Sequence, residues 1–468
     1  MRPIVLAAAL LAAAPAAGQV GPFVSDALPA ASEAPDARRS TNLNAELVGT
    51  YNARAGYADV WGYAAPNGRE YALGALQSSG LVVVDVTAVP PVEVAFVPLS
   101  AGTSDSKEVE TYGQYAYVVN EVGPMQIVSL ADPTRPVVVG QLQTQPGVSQ
   151  GGQHTHAIVG DRLYVHGGRR AGGGLGGIRV YSLANPVAPT FLGAYEPFYV
   201  HDIGVRGTTL YAAAIYGQGI DIVDASNPAA MTRRALFNYP GSGAHNVCLT
   251  TDGRYAFVGD EIGTSGRWTR IFDVQDPDNV ELVGEIVVDG RAVVHNCYVR
   301  GDRLFLAHYT EGLRVFDISV PTAPVEVAFY DTYPGTSFGT NGVWAVYPYL
   351  PSGRILVSDR TGGISVVRLT TPVASEGSPE AAASEVTVGP NPVRGTARVR
   401  FETAAPASVR VSVTDVLGRE VAVLADGPRA AGAHTEALDG RSLPPGVYLV
   451  RVAVDGQPGR PALVTVAR

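Results

Sequence analysis

The sequence predicts an all-β chain that is built from repeats, and three observations lead to this fold class. A short apolar segment recurs seven times, at intervals of about 40 to 55 residues. Its residues are mostly β-branched or aromatic and alternate as strand residues do. Gly/Asp turns and proline-rich turns separate the segments, and no amphipathic helix follows the N-terminal leader. The seven segments are LVVVDVT at 81, MQIVSLA at 125, IRVYSLA at 178, IDIVDAS at 220, TRIFDVQ at 269, LRVFDIS at 313 and ISVVRLT at 364.

Each repeat predicts a four-stranded sheet in which the recurring segment is the third strand. A Gly/Asp turn joins the first two strands, as in GDR at 160 and 301, and a proline-rich turn ends the third strand. Sheets that repeat with this period are typical of a β-propeller, so we predict a seven-bladed β-propeller. Four of the third strands end in an aspartate that is expected to cap the following turn, namely Asp85, Asp224, Asp273 and Asp317.

The seventh repeat lacks a fourth strand, because ISVVRLT runs directly into the linker-like segment PVASEGSPEAAASE. A segment with the fourth-strand pattern, NAELVGTYN, stands instead before the first repeat. We therefore expect residues 44–52 to complete the last blade and close the ring, which leaves no long unpaired sheet edge.

Changes in composition divide the chain into five parts. Residues 1–18 have the basic start, short apolar centre and small-residue cleavage site of a signal peptide, and residues 19–41 are expected to be a linker. Residues 42–370 are expected to form the propeller, and residues 371–385 a second linker. Residues 386–468 have short alternating strands between frequent turns, which is typical of a small immunoglobulin-like β-sandwich. No run after the leader is long enough to predict a membrane span.

Charge and cysteine content restrict the partners and the redox state. Residues 386–468 contain ten Arg and seven acidic residues, so this part carries +3 and the rest −12 of the total −9, which argues against nucleic acid. The two cysteines are Cys248, three residues after His245, and Cys297, two residues after His295. This opposite parity favours two buried thiols over a disulfide, although an exported chain permits either.

The C-terminal part resembles a known secretion signal. Its segments GPNPVRG at 389, VTDVLGREV at 413 and LPPGVYLVRV at 443 are similar to the type A sorting domain of the bacterial type IX secretion system. The resemblance implies passage across the outer membrane, followed by release or surface attachment. It also implies that the secretion machinery is a partner of residues 386–468.

The repeats resemble the LVIVD-repeat propellers, and in particular the choice-of-anchor B family. The similarity rests on EVETYGQYAYVVNE at 108, AHNVCLTTDGRYAFVGDE at 244, HNCYVRGDRLFLAHYTEGLRVFDI at 295 and GVWAVYPYLPSGRILVSD at 342. The resemblance implies a surface propeller that is paired with a C-terminal anchor. It brings no activity with it.

Candidate site residues come from the starts of the first strands and from the loops between second and third strands, which should meet at one mouth of a propeller's channel. Aligning the repeats on their first strands gives histidine at the first position of four consecutive units, after an acidic residue in each of the first two. The predicted rim comprises Asp59, Glu108, Glu121, His156, His201, His245, Asn246, Asp260, Glu261, His295, Asn296 and His308.

Two interpretations of these residues stay open. Imidazole with carboxylate suits zinc, and carboxylate with carbonyl suits calcium, so the rim could hold a divalent metal or another small ligand. Alternatively, the His and Asn side chains only hydrogen-bond neighbouring blades and fill the channel. Stacked sheets lie about 10 Å apart, so four histidines cannot ring one zinc ion, whereas two neighbours and a loop acid can.

The sequence thus predicts an exported binding module, secreted or attached to the outer-membrane surface, with a surface glycan or protein as its partner. The alternative from another class is a metal-dependent hydrolase whose metal lies at the channel mouth. No zinc-protease helix motif and no phosphate-binding loop is present in the sequence to favour a particular enzyme.

Overall fold

The computed structural model describes residues 42–99, 106–121, 123–142, 153–168, 176–264, 266–290, 292–333, 335, 339–370, 386–403, 406–415, 420–444, 446–454, 457–458 and 462–467. The predicted signal peptide, residues 1–18, lies outside this part of the chain. So do the two predicted linkers, residues 19–41 and 371–385.

Residues 42–370 form seven antiparallel sheets, which we number 1 to 7 in chain order. The described chain opens with two strands that join the last two sheets, β1 (Asn42–Leu43) and β2 (Ala45–Tyr51). Sheet 1 contains β3 (Tyr57–Ala64), β4 (Glu70–Leu76), β5 (Gly80–Asp85) and β6 (Val92–Pro98). Sheet 2 contains β7 (Val109–Tyr112), β8 (Tyr115–Val118), β9 (Gln126–Ser129) and β10 (Val137–Gln141), and sheet 3 contains β11 (Thr155–Val159), β12 (Arg162–His166), β13 (Ile178–Ser182) and β14 (Thr190–Tyr195). Sheet 4 contains β15 (Asp202–Arg206), β16 (Thr209–Ala214), β17 (Gly219–Asp224) and β18 (Thr232–Phe237). Sheets 5 to 7 contain β19 (Ala244–Leu249), β20 (Tyr255–Asp260), β21 (Thr269–Asp273) and β22 (Glu281–Ile286); β23 (Cys297–Arg300), β24 (Arg303–Ala307), β25 (Leu313–Asp317) and β26 (Val325–Tyr330); β27 (Val343–Tyr347), β28 (Ile355–Asp359) and β29 (Gly363–Leu369).

The third strand of each sheet is largely apolar and mostly buried because both faces of the sheet are covered. In β5 all six residues are buried. Leu81 and Val83 belong to an apolar cluster shared with sheet 2, whereas Val82 and Val84 belong to a cluster shared with sheet 7. Continuous apolar runs of this kind are expected where both faces of a strand pack.

Neighbouring sheets stack face to face around a closed ring. The first strands contact one another in the order β3, β7, β11, β15, β19, β23 and β27, and β27 in turn contacts β3. Seven apolar clusters lie between neighbouring sheets, one for each adjacent pair and including the pair of sheets 7 and 1. The architecture is that of a β-propeller with the first strands around its centre.

The first described residues hold the last two sheets together. Strand β2 pairs with β29 in sheet 7, and β1 pairs with β26 in sheet 6. Asn44 lies between them in the left-handed backbone region, with φ of 48°. Its side-chain amide donates to Val327 O at 2.8 Å, and its carbonyl accepts from Thr370 N at 2.8 Å. One short segment is therefore hydrogen-bonded to both sheet 6 and sheet 7.

The aspartates at the ends of the third strands cap the following turns, as the sequence predicts. In each case Oδ1 accepts a hydrogen bond from the backbone N–H two residues later. The donors are Thr87 for Asp85 at 2.9 Å, Ser226 for Asp224 at 2.9 Å, Gln275 for Asp273 at 3.1 Å and Ser319 for Asp317 at 2.9 Å. These four carboxylates are therefore structural.

Cys248 and Cys297 form a disulfide, so the expectation of two free thiols is wrong. Their Cα atoms are 6.0 Å apart, with Cys248 on β19 of sheet 5 and Cys297 on β23 of sheet 6. The parity argument holds only within one sheet. When sheets stack face to face, the side chains that meet come from opposite faces, so opposite parity brings the two sulfur atoms together.

Residues from 386 onward form two further sheets around a core of their own. The strands are β30 (Thr387–Gly389), β31 (Thr396–Thr403), β32 (Ala407–Asp415), β33 (Glu420–Arg429), β34 (Gly432–Asp439), β35 (Gly446–Val454), β36 (Gln457–Pro458) and β37 (Ala462–Val466). One sheet has the order β30-β31-β34, and the other has the order β33-β32-β35-β36, with β37 also paired to β35. Both contribute to one apolar cluster, which includes Val399, Val411 and Val450.

Helical structure is confined, among the described residues, to two short 3-10 segments, Pro228–Ala230 and Gly440–Ser442. In the same part of the chain, no helix has the length and apolar character needed to cross a bilayer.

Deleting residues 42–52 is expected to lower the melting temperature by several degrees, because it removes the fourth strand of sheet 7 and exposes the edge of β29. Differential scanning calorimetry of the whole chain measures this change. The control is Leu47→Ser on β2, where the side chain is 45% exposed, and it should leave the melt nearly unchanged. An unaltered melt after the deletion would contradict a closing role for this segment.

Replacing both cysteines by serine is expected to destabilise the propeller. The disulfide closes a loop with a sequence separation of 49 residues. A loop of this size gives a chain-entropy effect of about 4 kcal/mol, which corresponds to several degrees in melting temperature. Dithiothreitol should lower the melt of the wild type and leave that of the Cys248→Ser, Cys297→Ser variant unchanged. Equal reductant effects on both proteins would contradict the prediction.

Candidate functional site

Four histidine rings stack at one end of the propeller's centre, one from each of sheets 3 to 6. The ring centroids are 4.4 Å apart for His154 and His201, 4.3 Å for His201 and His245, and 4.2 Å for His245 and His295. Trp344 of sheet 7 continues the row at 4.5 Å from His295. These spacings are far below the 10 Å expected of stacked sheets, because the blades converge on the axis.

We call the four histidines, with Glu121 and Glu261, the histidine mouth. Glu121 follows β8 and is hydrogen-bonded through its carboxylate to His154 Nδ1. Glu261 follows β20, and Tyr309 OH donates to its Oε1 at 2.7 Å. The other carboxylate oxygen of Glu261 lies 3.7 Å from His245 Nε2, and Oε1 lies 4.0 Å from His295 Nε2.

Sheet 3 contributes His154 to this row, and not the predicted His156. The backbone N–H groups of His154, His201 and His295 each donate to the second strand at an equivalent place, at His166 O, Ala213 O and Ala307 O. His156 lies two residues further along the chain, on β11, and lines a cavity that runs along the first strands next to the histidine row.

The sequence contains a signal that places His154 in the row, namely the number of residues between it and the turn that ends the first strand. Lys107, His154, His201 and His295 each precede, by six residues, a glycine with positive φ at that turn. The four glycines have φ near 60° and are Gly113, Gly160, Gly207 and Gly301. Counting back from the turn therefore gives the register and selects His154 over the predicted His156.

Most of the rings in the mouth are neutral. Burial lowers the pKa of His201 and His245 well below the usual value, and the neighbouring imidazoles lower it further. Burial also lowers the pKa of His295 to about 3, although its bond to the Trp344 carbonyl acts in the opposite direction. For His154, burial again lowers the pKa, but the bond to Glu121 and its charge outweigh burial and leave that pKa raised.

The orientation of the neutral rings leaves lone pairs inside the mouth. His295 Nδ1 lies 2.6 Å from Trp344 O, so Nδ1 carries the hydrogen and the lone pair is on Nε2, on the side of Glu261. Nδ1 of His201 and Nδ1 of His245 are buried and have no hydrogen-bond partner. His201, His245 and Glu261 each offer one ligand atom, and these atoms lie within 4.8 Å of one another.

This donor set has the chemistry of a transition-metal site. Imidazole nitrogen with one carboxylate suits zinc and similar ions, whereas calcium takes oxygen ligands almost exclusively. Tetrahedral zinc, with bonds of about 2 Å, holds its ligands about 3.3 Å apart, so modest side-chain movement would close the set. The Nδ1–H bond of His295 to a carbonyl is of the kind that orients metal-binding histidines.

The asparagine of the His-Asn pair in sheet 5 has a structural role. In the amide orientation that satisfies both of its polar atoms, Asn246 donates to His295 O at 3.2 Å and accepts from Cys297 N at 2.8 Å. Asp59 links sheets 1 and 2 through a single bond, in which its Oδ2 accepts from Val109 N at 3.0 Å. These side chains hold each first strand to the next.

Two further residues of the predicted rim are engaged in the scaffold. Asp260 is buried, accepts from Gly243 N at 2.7 Å and from Tyr239 OH at 2.9 Å, and forms an ion pair with Arg270. His308 is buried in the turn after β24, where its carbonyl accepts from Glu311 N at 2.7 Å.

Other predicted residues line a cavity of about 420 Å³ that runs along the first strands from the residues next to His201, His245 and His295 onward, and we call it the acidic cavity. Its lining includes the predicted Glu108, His156, Asn246 and Asn296, together with the unpredicted Glu110, Asp202, Trp61, Tyr298 and Tyr349. Asp59 is buried close to this group, since its charge raises the pKa of Glu108. The residues predicted to form one rim are therefore divided between the histidine mouth, the scaffold and this adjoining cavity.

Burial is the main reason why the carboxyls of the acidic cavity resist ionisation. It raises the pKa of Asp59 and of Asp202 to about 7, and in Asp59 the charge of Asp202 adds to the effect. Burial also raises the pKa of Glu108 and Glu110 well above the usual value, and repulsion from neighbouring acids raises both further.

Comparison with family models identifies both parts of the chain. Residues 103–144, 199–237 and 293–332 match the LVIVD repeat, and residues 387–459 match the secretion system C-terminal sorting domain. The chain therefore contains LVIVD repeats and a secretion sorting domain. The sorting domain indicates export by type IX secretion, to the cell surface or the medium, and implies interaction with that machinery.

Two solved structures illustrate the similarity of this chain to known folds. The computationally designed Ika8 protein is 9% identical, with a TM-score of 0.46, and the match covers 69% of this chain and 98% of Ika8. The Cps50 (Swd1) beta-propeller domain of Myceliophteria thermophila is 12% identical, with a TM-score of 0.47, and the match covers 69% and 98%. No curated protein matches the sequence.

Replacing Asp202 by asparagine is expected to stabilise the protein at pH 8 and to stabilise it clearly less at pH 5. An acid whose pKa is raised on folding contributes stability that is fully present below the unfolded value of 3.8 and is lost as the pH rises through the folded pKa, here about 7. Asparagine is uncharged throughout, so the melting temperature of D202N should exceed that of the wild type by about 5 °C or more at pH 8 and by a smaller margin at pH 5.

Thermal melts of both proteins across this range test the prediction. Asp426→Asn, in the sorting domain where the side chain is 57% exposed, is the control and should show no such pH-dependent difference. A D202N effect that does not change between pH 5 and pH 8 would contradict the raised pKa.

Proposed function

We propose that the protein is an exported binding module whose ligand site is the histidine mouth, where His201, His245 and Glu261 bind a divalent transition-metal ion. The observation that carries the proposal is the convergence of two buried, neutral imidazoles with unpartnered nitrogens on one carboxylate. Zinc is the ion that this ligand set suits best, because both imidazole nitrogen and carboxylate oxygen bind it at about 2 Å. Export would bring the mouth into contact with glycans and proteins outside the cell.

We also propose the finer architecture that the sequence predicts. The propeller comprises residues 42–370 and has seven blades, of which the last is closed by residues 44–52. The closed order of first-strand contacts and the pairing of β2 with β29 support this assignment. Residues 1–18 are a signal peptide, residues 386–468 are an immunoglobulin-like sandwich, and the whole belongs to the choice-of-anchor B group of surface propellers.

A metal-dependent hydrolase is a second candidate, and one observation favours it. Two histidines and one glutamate leave the fourth position of a tetrahedral zinc ion open, as in catalytic sites. In that case the bound metal would activate water, and Tyr309, which donates to Glu261, would orient the carboxylate ligand. Hydrolysis of ester or peptide substrates that requires zinc and is lost in Glu261→Gln would favour the enzyme over the binding module.

Zinc is expected to bind the full-length protein with one ion per chain and to raise its melting temperature, with reversal by a chelator. Isothermal titration calorimetry gives the affinity. Glu261→Gln keeps the acceptor for Tyr309 but removes the charged ligand, and His245→Ala removes an imidazole. Each should weaken zinc binding on the order of 100-fold or more, since it removes one of three ligands.

The matched control is His434→Ala, a histidine of the sorting domain that lies outside the mouth, and zinc affinity should be unchanged. The pH dependence gives a second test. Two ordinary imidazoles would lose about 100-fold in affinity between pH 7.5 and pH 5.5, because both would become protonated. The lowered pKa values of His201 and His245 should make this loss much smaller than that of ordinary imidazoles. Absence of zinc binding, or equal binding by Glu261→Gln, would contradict the proposal.

A further inference from the structure

The acidic cavity has features that the scaffold does not require. Four carboxyls from sheets 1, 2 and 4 lie in or beside it, namely Asp59, Glu108, Glu110 and Asp202. Their pKa values show that each carboxyl is influenced by burial and several by one another's charge. A group of acids that repel each other in a buried place costs stability, so a positive ligand would offset that cost.

Unpartnered polar groups lie in the same place. His156 is 5% exposed, and neither of its ring nitrogens has a hydrogen-bond partner. Asp59 Oδ1 and Asn296 Oδ1 are also buried without a partner. Buried polar atoms are almost always hydrogen-bonded, so these atoms indicate a ligand or water that supplies mainly N–H or O–H donors.

The cation of the lining itself is directed elsewhere. Arg206 is at the end of β15 and lies against Gly253, in the turn of the neighbouring sheet. There its charge lowers the pKa of Asp252. It is therefore positioned at the edge of the cavity and not among the four carboxyls.

Aromatic rings also line the acidic cavity. Trp61, Tyr298 and Tyr349 line the cavity, with centroids 6.3 Å apart for Trp61 and Tyr298 and 6.1 Å apart for Tyr298 and Tyr349. Trp61 and Tyr298 are half-buried, so part of each ring is accessible. The faces of such rings attract ammonium groups, and their area favours a ligand with an apolar chain.

The size and spacing of the donors distinguish between cations. Among the described residues, the set whose three donor atoms come within 4.8 Å of one another is the one in the histidine mouth, and the carboxyls of the acidic cavity do not form such a set. They therefore cannot close directly on a bare metal ion. A volume of about 420 Å³ instead suits a small organic molecule.

We propose that the acidic cavity binds a small primary alkylammonium ligand, a diamine in particular, with its N–H groups on Glu108, Asp202 and His156 and its carbon chain against Trp61. Each ammonium group of the ligand has three N–H donors, which the carboxyl oxygens and the unpartnered polar atoms of the cavity can accept. The two positive charges of a diamine can pair with carboxyls that come from separate blades. A neutral polyol would supply donors but would leave the carboxylates repelling one another. A quaternary ammonium ion would supply charge but no donors.

The probe is 1,4-diaminobutane, titrated into the full-length protein at pH 7.5 and followed by calorimetry and tryptophan fluorescence. Binding of the diamine should exceed that of butane-1,4-diol by at least about 100-fold, and that of tetramethylammonium by about tenfold. Trp61→Phe should remove the fluorescence change, since Trp61 is the tryptophan in the lining.

Glu108→Gln and Asp202→Asn test the residues, because each keeps the shape and removes one charge. Each should weaken diamine binding at least tenfold while the melting temperature stays at or above that of the wild type. Glu261→Gln is the matched control at the histidine mouth and should leave diamine affinity unchanged, which separates this site from the metal site.

Three results would overturn the proposal. Equal binding of the diol and the diamine would make the cavity a polyol site. Displacement of the diamine by zinc or calcium in the Glu261→Gln variant would make it a metal site. No heat and no fluorescence change up to 10 mM diamine, with the protein folded, would show that the cavity does not bind amines.

Discussion

The structure depends on the stacking of sheets around a closed ring. Each sheet is covered on both faces, so apolar side chains of one third strand serve two different interfaces, as Leu81 and Val82 do. The apolar area removed from water at each interface provides the main stabilisation. The same stacking forces the first strands to converge, and convergence brings side chains at equivalent positions within about 4.3 Å of one another. The site is thus a geometric result of the way the core is buried.

The His-Asn pairs combine scaffold and site. Both amide atoms of Asn246 hydrogen-bond to the backbone at the start of the first strand of sheet 6, and one ring nitrogen of His295 hydrogen-bonds to the Trp344 carbonyl. An imidazole has a second nitrogen, however, and in this row it is left inside the mouth. The two interpretations that the sequence leaves open are therefore not exclusive, because a single ring can hold two blades together and present a lone pair to a ligand.

Local features of the sequence were sufficient for the all-β class, the repeats, the aspartate caps and the sorting domain. Each of these depends on residues close together in the chain, as in the bond from Thr87 N to Asp85. The register of the third unit could not be read from histidines alone, since His154 and His156 both fit a strand start. The disulfide required knowledge of which faces meet. The placement of Glu261 in the mouth and of Glu108 in the adjoining cavity required the direction in which each side chain leaves its strand.

The segment that joins β1 and β2 determines when the propeller can be completed. These are the first two described strands, but they pair with β26 and β29, which belong to sheets 6 and 7 at the end of the propeller. These contacts join residues that are far apart in the sequence, so closing the loop between them costs entropy before the contacts can form. We therefore expect them to be among the last contacts to form as the chain folds. The sorting domain begins only after β29. A chain truncated before that point would lack both its final partner strand and its export tag, and so molecules that carry the tag are those able to close the ring.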